Sequence, residues 1–429
     1  MRPWIIFLIF LCAPSRLFSQ YQGPDPAPLD AKEVVSLAAL VQEAMGRNPE
    51  IQAARRAVEA KRARVPQAGA WPDPKLSVSY GGNVFPPFTV MAGDPSSARQ
   101  IMAEQEIPYP GKTRLRAEIA SREADAEAFA YEAVWRRTAA EVKQAYFDLW
   151  FTDQSVSTLH KDRELLEKFE RIAEIRYSVG KAAQQDVLKA QLELMRLLER
   201  QTVLEQSRRT FQAQLNTLRN LPVETPVVTP QELKISAVGV SLDELQAAAQ
   251  ANYPALKQQQ TMVAENGLVV DLAKREVRPD FRVGYTYMQR DRLPDMYGIT
   301  FSTSLPIFRR SKQAMAIVEA ASNLESSRQM EVNKLTMLRY RVEQEFLEVQ
   351  ASEQLLKLYS QGIVPQSSLV LESSISSYET GAMDFLNVLA NFTTVFDYEL
   401  STKQQIANHE KALARLEELT ALELMHPAP

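Results

Sequence analysis

The 429-residue sequence is short of the residues that metal, redox and nucleotide chemistry use. It has one cysteine, three histidines and 14 glycines. The cysteine, Cys12, closes an apolar run from Trp4 that follows Arg2 and precedes the small residues Ala13, Ser15 and Ser19. That order reads as a secretory signal over residues 1–20, too short to span a bilayer as a helix. A lipid-bearing cysteine would follow small residues, whereas Phe10 and Leu11 precede this one. Lipidation of Cys12 is therefore not expected, and its removal with the signal would leave a chain with no thiol for a disulfide or metal site. After residue 20 every hydrophobic stretch is interrupted by charge, so no transmembrane helix is expected. Lys+Arg 49 against Asp+Glu 53 leaves a formal charge of −4 without a dense basic run, which offers nucleic acid no global attraction.

Candidate chemistry is correspondingly thin. There is no phosphate-binding glycine loop, no Gly-x-Ser-x-Gly and no Cys/His couple, so no catalytic residue and no cofactor is assigned. His160, His409 and His426 lie far apart, without the spacing of metal ligands, and read as surface residues. Met288 and Met296 offer thioether sulfurs suited to a soft ion, but two methionines beside a loop read as packing or interface residues. No metal ligand is assigned. Glu164, Glu167 and Glu170, interleaved with Lys and Arg, read as a solvated helix face.

What the chain does have is long helical stretches and internal repetition. A Pro-rich leader covers residues 21–33. A helix is expected from Val34 to Gly69, broken at Asn48-Pro49, and Trp71-Pro72-Asp73-Pro74 ends it. Residues 75–80 alternate apolar and polar as a half-buried strand does, and a second strand over 100–107 closes at Pro108. From Thr113 to Tyr177 there is neither proline nor glycine; 65 helical residues would extend about 97 Å. Gly180 breaks the run, and another helix is expected over 186–219, with Leu188, Leu192, Met195 and Leu198 on one face. Asp186 is expected to cap it.

After a linker at 222–240 the same order recurs. Asn252-Tyr253-Pro254 answers Asn48-Pro49, Arg278-Pro279-Asp280 answers Trp71-Pro72-Asp73, and Pro306 answers Pro108. Tyr378-Glu379-Thr380-Gly381 lies 201 positions after Tyr177-Ser178-Val179-Gly180, and Val388-Leu389 follows Val187-Leu188 by the same interval. The chain thus divides into a first repeat, 34–221, with a β-hairpin at about 75–108 and long helices over 113–219. The second repeat, 241–424, has a hairpin at about 280–307 and long helices over 310–424, before a tail at 425–429. Each turn glycine is expected in the left-handed conformation that ends a helix, and Pro365 is expected to kink the helix that holds it. The expected fold is mainly α with a small β part, built from duplicated helical hairpins and two β-hairpins.

Four strands cannot close a barrel, and an open sheet edge is not tolerated in lipid. Three chains would supply about 12 strands, with Phe281, Val283, Tyr285 and Tyr287 toward lipid and Arg282 and Thr286 toward water. This order of elements resembles the TolC family of outer-membrane factors. The residues that carry the resemblance are Arg176 to Gly180 with Asp186-Val187-Leu188, Tyr378 to Gly381 with Asn387-Val388-Leu389, Pro279-Asp280, and Ser304 to Phe308. The resemblance implies a homotrimer in the outer membrane of a Gram-negative type cell: a 12-stranded β-barrel continuing as an α-barrel in the periplasm. It implies a periplasmic adaptor and an inner-membrane pump of the resistance-nodulation-division type as partners, outer-membrane lipid around the barrel, and a passive conduit rather than an enzyme.

The tips around Tyr177, Gly180, Asp186, Tyr378 and Gly381 would then dock the adaptor. Asp384, Asn387 and Ala390 would line the periplasmic entrance, although Asn387 and Ala390 stand where some drug exporters carry acids. Glu104 to Lys112, and Tyr287 to Arg290 leading to Met296-Tyr297, resemble the members that export heavy-metal ions. Export of drugs or solvents, a type I secretion duct, and a periplasmic coiled-coil scaffold remain as alternatives.

Overall fold

The stretch without proline or glycine forms one helix of 67 residues, Lys112–Ser178, about 100 Å long. It belongs to a computed structural model that describes residues 36–82, 89–236 and 239–425. The signal segment with Cys12, the leader, Val34 and His426 lie outside the described residues. In chain order the elements are α1 (Leu37–Arg47), α2 (Pro49–Gly69), β1 (Lys75–Gly81), β2 (Ala98–Ile107), α3 (Lys112–Ser178) and α4 (Gln184–Leu218). They continue as α5 (Leu242–Asn252), α6 (Pro254–Glu276), β3 (Phe281–Gln289), β4 (Met296–Thr303), α7 (Gln313–Leu358), a π-helical turn (Tyr359–Ile363), α8 (Val364–Thr380) and α9 (Phe385–Thr420).

The duplication is physical as well as sequential. Asn48 caps α2 with its side-chain oxygen, and its amide donates to the Leu218 carbonyl at the end of α4. Asn252 donates in the same way to Thr420 at the end of α9. Both terminal carbonyls precede a residue in the left-handed conformation, Asn220 (φ 54°) and Ala421 (φ 62°). One strand boundary differs from the sequence reading: β2 starts at Ala98 rather than at residue 100, while β4 spans Met296–Thr303. The long helix of the second repeat is interrupted by the π-turn just before Pro365. Without an N–H, the proline cannot continue regular bonding, and the ladder widens ahead of it.

The four strands form an antiparallel sheet in the order β1-β2-β3-β4. Register sets two unlike faces. Leu76, Val78, Ile101, Ala103, Val283, Tyr285, Tyr287, Tyr297, Ile299 and Phe301 share one; Ser77, Ser79, Gln100, Glu104, Arg282, Thr286 and Thr300 share the other. Away from the sheet, helices contact in the order α4, α3, α9, α8; beside the sheet, in the order α2, α3, α6, α7. The chain is therefore a slab, with β1, α2 and α4 on one flank and β4, α7 and α8 on the other. The stripe Leu188, Leu192, Met195 and Leu198 on α4 is left exposed at this flank, while Ala190, Leu194 and Leu197 of the same helix turn inward.

His409 corrects the sequence reading: it is fully buried on α9, its Nε2 is 2.8 Å from the Ser236 carbonyl, and it anchors the linker between repeats. Its isolation in the sequence hid that role, because the partner is backbone. His160 is exposed.

Asp162 of α3 faces α9 with a buried Oδ2 that has no hydrogen-bond partner. Burial, then Glu399, push its carboxyl up to about 7 against the nearby Lys403 and Lys161. Because the folded pKa is raised, the stability tied to the protonated acid is complete below about pH 4. It is lost as pH rises through about 7. Asp162→Asn should melt with the wild type below pH 4 and be more stable at pH 8 by about 1–2 kcal/mol, allowing for partial solvation. Thermal melts in detergent across that range check the difference.

Candidate functional site: the paired tips and the neck

Two places bring the sequence-marked residues together. At the tip, both turns are Schellman motifs. Gly180 (φ 72°) and Gly381 (φ 83°) are left-handed as expected. The N–H of Lys181 reaches the Arg176 carbonyl, and that of Ala382 reaches Ser377. The two tips are not equivalent in packing. Tyr177, Val179 and Ile175 are exposed, whereas Tyr378 is buried against Phe385, ring centroids 5.5 Å apart. Of the two tyrosines expected at a docking end, only Tyr177 stands in the open. Beneath the tips, Phe169, Leu166, Phe385, Phe392 and Phe396 form the core that joins the hairpins.

Arg176 links the tips. Its guanidinium carbon lies 4.5 Å from the Tyr378 ring centre, and Nη1 donates to the Tyr378 carbonyl. A Cβ on Gly381 would approach Arg176 Nη2 to 3.4 Å, so the glycine also leaves room for the guanidinium. The sequence pointed at the tyrosines and glycines; Arg176 has Ser377 as its counterpart in the second repeat, and this asymmetry was the available signal.

Asp186 caps in a different way from the one expected. Ala183 is the N-cap of α4, and Asp186, three positions on, accepts the Ala183 N–H. Burial, then the charge of Asp384, raise the Asp186 carboxyl against the Ala183 N–H and Arg176. Asp384 is the N-cap of α9 with no side-chain cap bond, and Asp384, Asn387 and Ala390, three positions apart, are all exposed.

The second place is the neck, where sheet meets helices. Buried Lys112 donates to the Arg278 carbonyl (2.8 Å) and to Asp280 Oδ1 (2.9 Å), which also accepts the Tyr109 N–H (2.7 Å). Burial would raise the Asp280 carboxyl, but the Lys112 and Tyr109 hydrogen bonds and the Lys112 charge outweigh it and hold it low. Gly111 is required here by its backbone, because φ is 90°, a conformation that L side chains rarely adopt. Glu106 pairs with Arg282 across the strands (3.4 Å). The 104–112 segment is thus a clamp between the two repeats. Among the described residues no group of three His, Cys, Asp or Glu side chains could hold a metal ion, and no helix is long and apolar enough to cross a membrane.

Residues 40–221 match the sequence model of the outer membrane efflux protein family. The match falls on the first repeat; the second is tied to it by the internal duplication and by the fold. Among solved structures, the outer-membrane channel OprN is 14% identical with a TM-score of 0.79, over 92% of this chain and 94% of that one. VceC, an outer membrane protein of Vibrio cholerae, is 16% identical with a TM-score of 0.77, over 90% and 95%. CusC, described for its folding and transmembrane channel formation, is 15% identical with a TM-score of 0.75, over 90% and 92%. No curated protein matches the sequence.

Proposed function

We propose that three copies of this chain close into an efflux duct through which an inner-membrane pump discharges cargo across the outer membrane. The observation that carries this reading is the pair of open flanks. Among the described residues, β1, α2 and α4 on one side and β4, α7 and α8 on the other have neighbours inward and none further outward. A head-to-tail interface uses two unlike surfaces and forms a ring when the rotation closes. With three copies, edge strand β4 would pair with β1 of the next, giving about 12 strands with no edge exposed to lipid. The exposed stripe on α4 would meet Leu369 and Val370 on α8 of the next copy. The apolar sheet face would turn to lipid and the polar face to the lumen.

Under this reading the tips point into the periplasm. Tyr177, Gly180 and Gly381 meet the adaptor, with Tyr378 and Asp186 shaping the turns behind them. Asp384, Asn387 and Ala390 line the entrance, and a resistance-nodulation-division pump supplies the energy. The duct is a passive conduit without a cofactor. Its cargo is read as heavy-metal cations, from the resemblance of the 104–112 and 287–297 segments to metal exporters.

Detergent-solubilised protein should sediment as a trimer and form pores in planar bilayers; a monomer extractable without detergent would favour the scaffold alternative. Deletion of the gene should sensitise cells to copper, silver, cobalt, zinc or cadmium salts. Sensitivity confined to dyes and antibiotics would instead assign the duct to organic compounds.

A further inference from the structure

The geometry points to a soft-cation site of three thioethers, Met102, Met288 and Met296, on the polar face of the sheet. Sequence spacing showed only the last two, separated by a turn. Strand pairing adds the third. Met288 is directly opposite Met296, and Met102 is opposite Thr286, one diagonal step from Met288. Directly opposed residues have Cβ atoms roughly 5 Å apart and diagonal ones about 7–8 Å, within reach of flexible methionine side chains.

The surroundings argue against simple packing. The rest of this face is Lys75, Ser77, Ser79, Gln100, Glu104, Glu106, Arg282, Thr286, Thr300, Ser302 and small residues. The three methionines are its only large apolar side chains, and they are adjacent. Met296 is 47% exposed, and Met102 and Met288 are half-buried.

The donor set specifies the ligand. Asp295, next to Met296, is engaged elsewhere, accepting the Tyr287 hydroxyl (2.7 Å) and the Arg290 N–H. No carboxylate shares a row with Met288 and Met296. Glu104, two positions from Met102, is the nearest carboxylate on this face, and neutral thioether sulfurs suit monovalent copper or silver and serve zinc, cobalt or magnesium poorly. The site lies at the end of the sheet remote from the helices, beside the turn after β3. In the proposed duct, on which this inference rests, that end is the exit, and three copies would place three such clusters around it. Weak, repeated sites of this kind let a cation enter and leave.

The test uses the full chain in detergent with silver nitrate in chloride-free buffer. The wild type should bind Ag+ with sulfur-only coordination by X-ray absorption. Met102→Leu/Met288→Leu/Met296→Leu should weaken calorimetric binding at least tenfold, since leucine keeps the volume. Should the triple variant fail to assemble, Met288→Leu alone, which removes the central sulfur, should reduce it severalfold. Silver binding unchanged in the variants, or equal binding of Zn2+, overturns the site. Bilayer conductance is read in parallel. A wild type that does not conduct defeats the duct, whereas conducting wild type and variant with equal silver binding defeat only the methionine site.

Discussion

Glu43→Ala is expected to destabilise the chain by about 3–5 kcal/mol, the cost of stranding a buried arginine. Arg219, at the end of α4, is buried, and both its Nε (2.8 Å) and Nη2 (2.6 Å) donate to Glu43 Oε2 on α1. Glu43 Oε1 is held by Arg47 at 2.8 Å. The network continues from Arg219 Nη1 to Asn216, whose amide holds the Val223 and Thr225 carbonyls of the inter-repeat linker. One carboxylate therefore ties α1, α4 and the linker together. The thermal midpoint and resistance to proteolysis in detergent should fall together, with cleavage mapping to residues 219–236. Glu43→Leu combined with Arg219→Met should recover much of the loss, because buried ion pairs exchange for apolar pairs at little net cost. A double variant as unstable as Glu43→Ala alone would mean that the pair is not the source.

Arg176→Ala is expected to give a leakier pore. The guanidinium joins the α3 tip to the α8 tip through a charge-assisted hydrogen bond and a cation–π contact. A charged hydrogen bond contributes about 1.5–3 kcal/mol, and an exposed cation–π contact about 0.5–1. Arg176 is half-exposed, so the low end applies. A loss of about 1.5 kcal/mol per tip shifts a closed-to-open equilibrium about tenfold. Single-channel recordings should show more frequent or larger openings, with Arg176→Lys intermediate, since lysine keeps the charge without the planar fork. Conductance identical to that of the wild type would show that tip opening does not depend on this link.

Much of this architecture was legible in the sequence because it depends on local rules. Helix length follows from the absence of proline and glycine between 113 and 177. The left-handed turns at Gly180 and Gly381, the strand alternation at 75–80 and 281–287, and the doubling at an interval of 201 are all chain-local features. What escaped was non-local. The burial of His409, the Lys112–Asp280 clamp and the Arg176–Tyr378 link join positions 168 to 202 residues apart, and no periodicity encodes them.

The Leu188-to-Leu198 stripe shows the limit from the other side. Its spacing correctly marked an apolar helical face, but α4 has two such faces, and only packing decided which one turns inward. The sequence by itself determined where helices and strands run and that they occur twice, because backbone propensity and side-chain period act over a few residues. Tertiary structure decided which flanks stay open, which charges share a neck and which methionines share a face. Those depend on strand register and helix neighbours, which form only when distant segments meet.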